Sequence, residues 1–202
     1  MKSRIIGWGA LIGLALWAGP TRADIRGSAH DFSTQAWSAG QVCLVCHAPH
    51  NSQSTLVPLW NRRTTQSTFT MYGSPTFSAA PGQPGGASKA CLSCHDGTVA
   101  LDSFGGATGS TFLTGPTLLG TDLSNDHPVS FLYDSALASA DGGLRNPASA
   151  PSGLLGTIRE DLLFNDRMEC ASCHDVHNSY NQAGLLVKSN AASALCATCH
   201  TK

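Results

Sequence analysis

Hydrophobic residues are unevenly spread along this chain. One uninterrupted apolar run, residues 5–18, follows the basic Lys2 and Arg4 and precedes Thr21-Arg22-Ala23. A basic start, an apolar stretch and a small-x-small site predict a signal peptide over residues 1–23, cleaved after Ala23. The run has 14 residues, short of the roughly 20 that a spanning helix needs, so a retained anchor is the lesser reading. No later segment is apolar enough to span, and no membrane span is expected after cleavage.

Beyond the leader, apolar positions come in short clusters rather than sustained periodic segments. They predict brief helices over 157–164 and 184–196 and a short strand over 129–133. Three stretches punctuated by Gly and Pro, 73–88, 105–120 and 141–156, read as irregular loops. Ser, Thr, Gly, Pro and Ala dominate long parts of the sequence. Such a chain lacks the residues for a conventional core, so a rigid prosthetic group is expected to supply the interior instead of packed helices and sheets. Removing the leader leaves nine basic and thirteen acidic side chains, a mildly acidic balance without the clustered basic face that nucleic-acid binding requires.

The cysteines change the picture. The chain has 8, and all fall in four Cys-x-x-Cys-His units: Cys43–Cys46–His47, Cys91–Cys94–His95, Cys170–Cys173–His174 and Cys196–Cys199–His200. Two cysteines three residues apart on a helical turn face one side, where both thiols can add to the vinyl groups of one porphyrin. The next residue then points an imidazole at the iron, which is the c-type haem attachment pattern. A zinc ribbon would use two Cys pairs per metal, and a disulfide scaffold needs no His after every second Cys. The cofactor expected is four covalently bound haem c groups, with His47, His95, His174 and His200 as proximal iron ligands.

The chain has 8 His, so His30, His50, His127 and His177 are left for four distal positions. Bis-His coordination throughout follows, with low reduction potentials. The order repeats: His30, then Cys43 to Asn51, then Cys91 to His95; and again His127, then Cys170 to Asn178, then Cys196 to His200. Two dihaem modules are expected, over 24–120 and 121–202. His50 and His177, three residues past a proximal His, sit on the same face of that turn and should each ligate a neighbouring haem. They are expected to cross-ligate the first and third haems, with His127 serving the haem of His95. His30 is then left for the fourth haem, either in its own chain or in a neighbouring subunit joined head to tail.

Other side chains have expected places as well. Trp37, Trp60, Phe69, Tyr72 and Phe131 are expected to pack on porphyrin faces. Arg62 and Arg63 either pair with propionates or are solvated. Asp96, Asp126 and Asp175 are placed to orient imidazole N–H groups.

His30-Asp31-Phe32-Ser33, Cys43 to Asn51, Cys91-Leu-Ser-Cys94-His95-Asp96-Gly97 and Asp126-His127-Pro128-Val129 together resemble the extracellular multihaem c-type cytochromes that polymerise into conductive nanowire filaments, of the tetrahaem OmcE type. The resemblance covers nearly the whole mature chain. It implies a multihaem cytochrome c fold, mostly coil with short α-helices and minimal β, organised around a stack of four haems. It also implies an N-terminal His donated between subunits, by position His30. The function expected is extracellular electron transfer by a secreted protein that associates with copies of itself and with redox partners or external acceptors. It is expected to be an electron carrier and not an enzyme. The alternatives are a soluble monomeric shuttle, periplasmic or extracellular, and a multihaem reductase. The reductase is disfavoured because four spare histidines leave no iron open to a substrate.

Overall fold

A computed structural model describes residues 24–52 and 56–201 of the chain. The expected leader lies outside the described residues. Most of the described chain is turn and coil. Its regular elements are α1 (Gly86–His95), β1 (Phe131–Leu132), α2 (Ser135–Asp141), α3 (Ile158–Leu162), β2 (Arg167–Met168) and α4 (Cys196–Cys199), with four single 3-10 turns between or before them. No helix among the described residues is long and apolar enough to cross a membrane.

Each helix has a local cause. In α2 the Asp134 carboxylate caps Leu137 N at 2.8 Å, and Gly142, at φ +68°, ends it in the left-handed region. Thr157 and Glu160 form a reciprocal capping box at the start of α3, within the helix expected over 157–164. The strand expected over 129–133 shortens to β1, which pairs antiparallel with β2 in the register Phe131 to Met168 and Leu132 to Arg167.

The helix expected over 184–196 does not form. Gly184, Leu185, Ala192 and Ser193 all have positive φ, so this stretch breaks into 3-10 turns until α4 begins at Cys196. The loop expected over 73–88 also ends early, because α1 begins at Gly86.

The expectation that polypeptide supplies no core needs correction. Phe131, Tyr133, Ala138, Ile158, Leu162, Met168 and Val187 form one buried apolar cluster, bordered by Leu144, Leu163, Leu195 and Cys199. It draws together β1, α2, α3 and β2, short elements that could not stand alone. A smaller cluster joins Phe69, Leu92 and Leu123. Phe69 and Phe131, expected on porphyrin faces, belong to these two clusters; Phe131 meets Phe77 edge-on at 5.4 Å.

The two halves of the chain touch through the cysteine motifs themselves. Ser88 Oγ of α1 accepts the Cys170 N–H at 2.9 Å, and the Cys91 and Cys170 thiols hydrogen-bond to each other. At the surface, Asn178 Nδ2 donates to the Asp24 carbonyl at 3.3 Å.

Candidate functional site

Every Cys-x-x-Cys-His unit is wound into about one helical turn. The His47, His174 and His200 N–H groups bond back to the carbonyls of Cys43, Cys170 and Cys196 at 2.8, 3.0 and 3.0 Å, while Cys91 to His95 closes α1. That winding sets both thiols of a motif on one side and aims the following imidazole away from the turn. All eight cysteines are free thiols. The second and third motifs meet where the Cys91 and Cys170 thiols hydrogen-bond. Burial is the first cause that pushes the thiols of Cys46 and Cys199 up to about 11, and it also raises Cys94 and Cys173.

Three of the four proximal imidazoles are fixed by backbone carbonyls. Nδ1 of His47 lies 2.8 Å from Pro58 O, Nδ1 of His95 lies 2.8 Å from Thr117 O, and Nδ1 of His174 lies 2.9 Å from Gly184 O. A carbonyl only accepts, so each Nδ1 carries the proton and donates. Each Nε2 is then left with its lone pair for a metal. Of the carboxylates expected in this role, Asp96 is occupied elsewhere, accepting from Thr98 N and Oγ1, whereas Asp175 accepts from Ser179 N and His177 N and also lies 3.6 Å from His177 Nδ1. Sequence reasoning missed Pro58, Thr117 and Gly184 because a carbonyl is common to every residue and leaves no side-chain signal.

The first and third motifs share one local scaffold. Ala48 N donates to Leu59 O and Asn61 N to Cys46 O; in the third motif Asp175 N donates to Leu185 O and Val187 N to Cys173 O. His47 bridges to Trp60 as His174 bridges to Leu186. Leu59 and Leu185 both adopt positive φ, at +56° and +55°, and so do Asn51 and Asn178. A leucine in the left-handed region is strained. Its appearance at the matching place twice marks a feature inherited by both motifs, one set by how the return strand must cross the imidazole.

Second imidazoles face three of the four proximal ones. The ring centroids of His47 and His177 are 6.1 Å apart, those of His30 and His95 are 6.1 Å apart, and those of His127 and His200 are 6.4 Å apart. Two metal–nitrogen bonds of about 2 Å each, plus the ring radii, amount to roughly 6 Å between ring centres, so each pair would accommodate an iron. His127 Nδ1 lies 3.0 Å from Pro128 O, which again directs its Nε2 outward, and the buried Nδ1 of His30 has no partner. Burial, with His95, His174 and His177 nearby, brings His30 down to about 4 and so keeps it neutral, as ligation requires.

Two expected pairings differ from these. His127 faces His200 rather than His95, and His30 faces His95 of its own chain rather than the fourth motif. The reason is topological: the Leu144 bridge to His200 and the Arg145 N–H bond to Cys199 O fold the C-terminal motif back beside the segment that carries His127. The His177 ring lies beside that of His47, an expected ligand of the first motif. No ring contact brings a second imidazole to His50 or His174 among the described residues.

Aromatic side chains border the pairs. Trp60 stands edge-on to His47 at 6.3 Å with its indole N–H buried and unpartnered, and Phe32 stands edge-on to His30 at 6.2 Å with Trp37 beside it. Arg63 is exposed at the rim of a cavity of about 570 Å³ that Thr98 and Val99 also line. Arg62, in contrast, is neither solvated nor free. It is 2 % exposed and donates to the carbonyls of Val45, Ala100 and Leu101.

Paired thiols on one side of a turn, proximal imidazoles in one tautomer and facing imidazoles about 6 Å away fit a porphyrin iron at these positions. A family described as a doubled CXXCH motif matches residues 164–202, the stretch that contains the third and fourth units. No curated protein matches the chain. The match and the residues present support a multihaem c-type cytochrome with covalently bound c-type haem, in a chain that is mostly coil with few helices and minimal sheet.

Proposed function

We propose that this chain is a secreted tetrahaem electron carrier that passes electrons to an acceptor outside the cell. The observation that carries the reading is the set of three facing imidazole pairs at 6.1, 6.1 and 6.4 Å. Bound haem would supply one-electron redox chemistry at each site. The protein's own part is to attach it through the paired cysteines, to hold three proximal rings through backbone carbonyls, and to keep substrates off the iron with a second imidazole at three sites. No side chain is needed as acid, base or nucleophile, which favours a carrier over a reductase.

Four sites, with the Cys91 and Cys170 thiols in contact at the junction of the halves, favour a continuous path through the molecule. Assembly of copies head to tail, extending that path into a filament, is the finer part of the proposal. The link expected through His30 is better assigned elsewhere, since that ring faces His95. His50 is exposed on its turn and His174 faces no other imidazole, so this pair is the better candidate for ligation shared between copies.

Electron microscopy and optical spectroscopy of the secreted, matured protein test both levels. Filaments with a six-coordinate low-spin spectrum are expected. Single-chain particles with that spectrum would leave a soluble shuttle and remove the polymer. A colourless protein with the mass of bare polypeptide would remove the cytochrome itself.

A further inference from the structure

Three side chains of the charged types outside the cysteine motifs are buried among the described residues: Arg62, Asp96 and Glu169. A charge taken out of water is costly unless it is paired. Asp96 is the least unusual of the three, because Thr98 satisfies its carboxylate through both N–H and hydroxyl. The other two carry opposite signs, Arg62 beside the first two motifs and Glu169 beside the third.

Arg62 lies between the first and second motifs. Its guanidinium donates to Val45 O inside the first Cys-x-x-Cys at 3.2 Å, to Leu101 O at 2.8 Å and to Ala100 O at 2.7 Å, and it also reaches the Cys94 thiol. Its Nε is buried without a partner. No carboxylate forms an ion pair with it among the described residues, where Arg159 pairs with Asp166. Glu169 directly precedes Cys170 and is 3 % exposed. Its carboxylate accepts from Ser130 Oγ at 2.9 Å and from the Ser172 N–H. The nearby Arg167 donates instead to the Ser130 carbonyl at 2.6 Å, so the anion also lacks a cation.

Neutral partners solvate both charges without cancelling them, so their fields act on whatever the adjacent cysteines hold. Adding an electron to an iron lowers its charge by one. A buried cation favours the reduced state and a buried anion the oxidised state, and both effects are stronger where water is excluded.

We propose that Arg62 and Glu169 are redox-tuning residues of opposite sign, Arg62 raising the reduction potential at the Cys43–His47 site and Glu169 lowering it at the Cys170–His174 site. An electron shared by the molecule then rests in the N-terminal half. Asp96, next to His95, offsets Arg62 at the second site, so the effect of Arg62 is largest at the first. This inference rests on the haem reading above.

The test is an optical redox titration of the full-length, matured protein as wild type, Glu169→Gln, Arg62→Met and Arg62→Lys. Glu169→Gln keeps shape and hydrogen-bonding capacity while removing the charge. It should raise the lowest-potential wave by about tenfold in reduction equilibrium, ~59 mV for one electron. Arg62→Met should lower the highest-potential wave in the opposite sense, and Arg62→Lys should leave that wave near its wild-type position. If Arg62→Met fails to mature, Glu169→Gln and Arg62→Lys still decide the matter. Waves that stay fixed in Glu169→Gln, or that move together in one direction in both neutral variants, would overturn the tuning while the protein's colour upheld the haem reading. A wild-type protein without Soret absorption would overturn both.

Discussion

Ile158→Ala tests whether the second half of the chain is held by a polypeptide core as well as by its prosthetic groups. Ile158 is fully buried at the start of α3, within the cluster of Phe131, Tyr133, Leu162, Met168 and Val187. The substitution removes three carbons. At about 0.8 kcal/mol per buried methylene, the lost transfer energy is ~2.4 kcal/mol. The thioether-anchored turns on either side limit collapse, so a residual cavity should add about 1 kcal/mol more, for a total of roughly 3 to 4 kcal/mol. With an m-value of about 2 kcal/mol per molar urea, the midpoint of unfolding should fall by about 1.5–2 M. Far-UV circular dichroism and the Soret band, followed in one titration, are the assay. A fall under about 0.5 M would mean that the apolar cluster contributes little and that bound groups alone hold this half together.

The remaining predictions concern single contacts. His127→Ala combined with His200→Ala should lose no more low-spin absorbance than His200→Ala alone if the two facing rings hold one iron; additive losses in this double-mutant comparison would refute the pairing. Tyr133→Phe removes the donor that bonds Arg145 O at 2.7 Å and should destabilise by about 1 kcal/mol in the same urea assay. The Ser152 hydroxyl, with the Gly156 and Leu155 N–H groups, holds the Asp161 carboxyl below the usual range. Its stabilisation is therefore complete above the unfolded carboxylate's pKa and lost as pH falls through the lower, folded one. Melting temperature against pH should show that acid limb in the wild type and a shallower one in Asp161→Asn.

The local chemistry of the site could be read from spacing alone. Cys-x-x-Cys-His is a one-turn device, so cysteines and proximal histidines are named by sequence wherever they sit in a fold. The capping residues Asp134 and Thr157 are equally local, while α3 was legible from its short apolar cluster. The α2 helix carried comparable signals, an Asp before it and a Gly after it. Apolar periodicity missed it because the segment is seven residues of Ser, Ala, Leu and Asp with a single large apolar side chain. The helix expected over 184–196 failed for the converse reason. Its composition suits a helix, but the carbonyls of Gly184 and Leu185 must turn toward His174 Nδ1 and Asp175 N, and that forces positive φ.

Sequence by itself determined which atoms can bind: eight thiols in four pairs and eight imidazoles, because covalent attachment depends on residues at most four apart. Tertiary structure decided which imidazole faces which. Ring partners such as His47 and His177, or His30 and His95, lie far apart along the chain, and their approach depends on return strands fixed by backbone hydrogen bonds that no side chain announces. The fold also decided that Arg62, outwardly a surface residue in a polar stretch, is a buried cation. Burial is a property of everything packed around a residue, and a single chain position does not encode it.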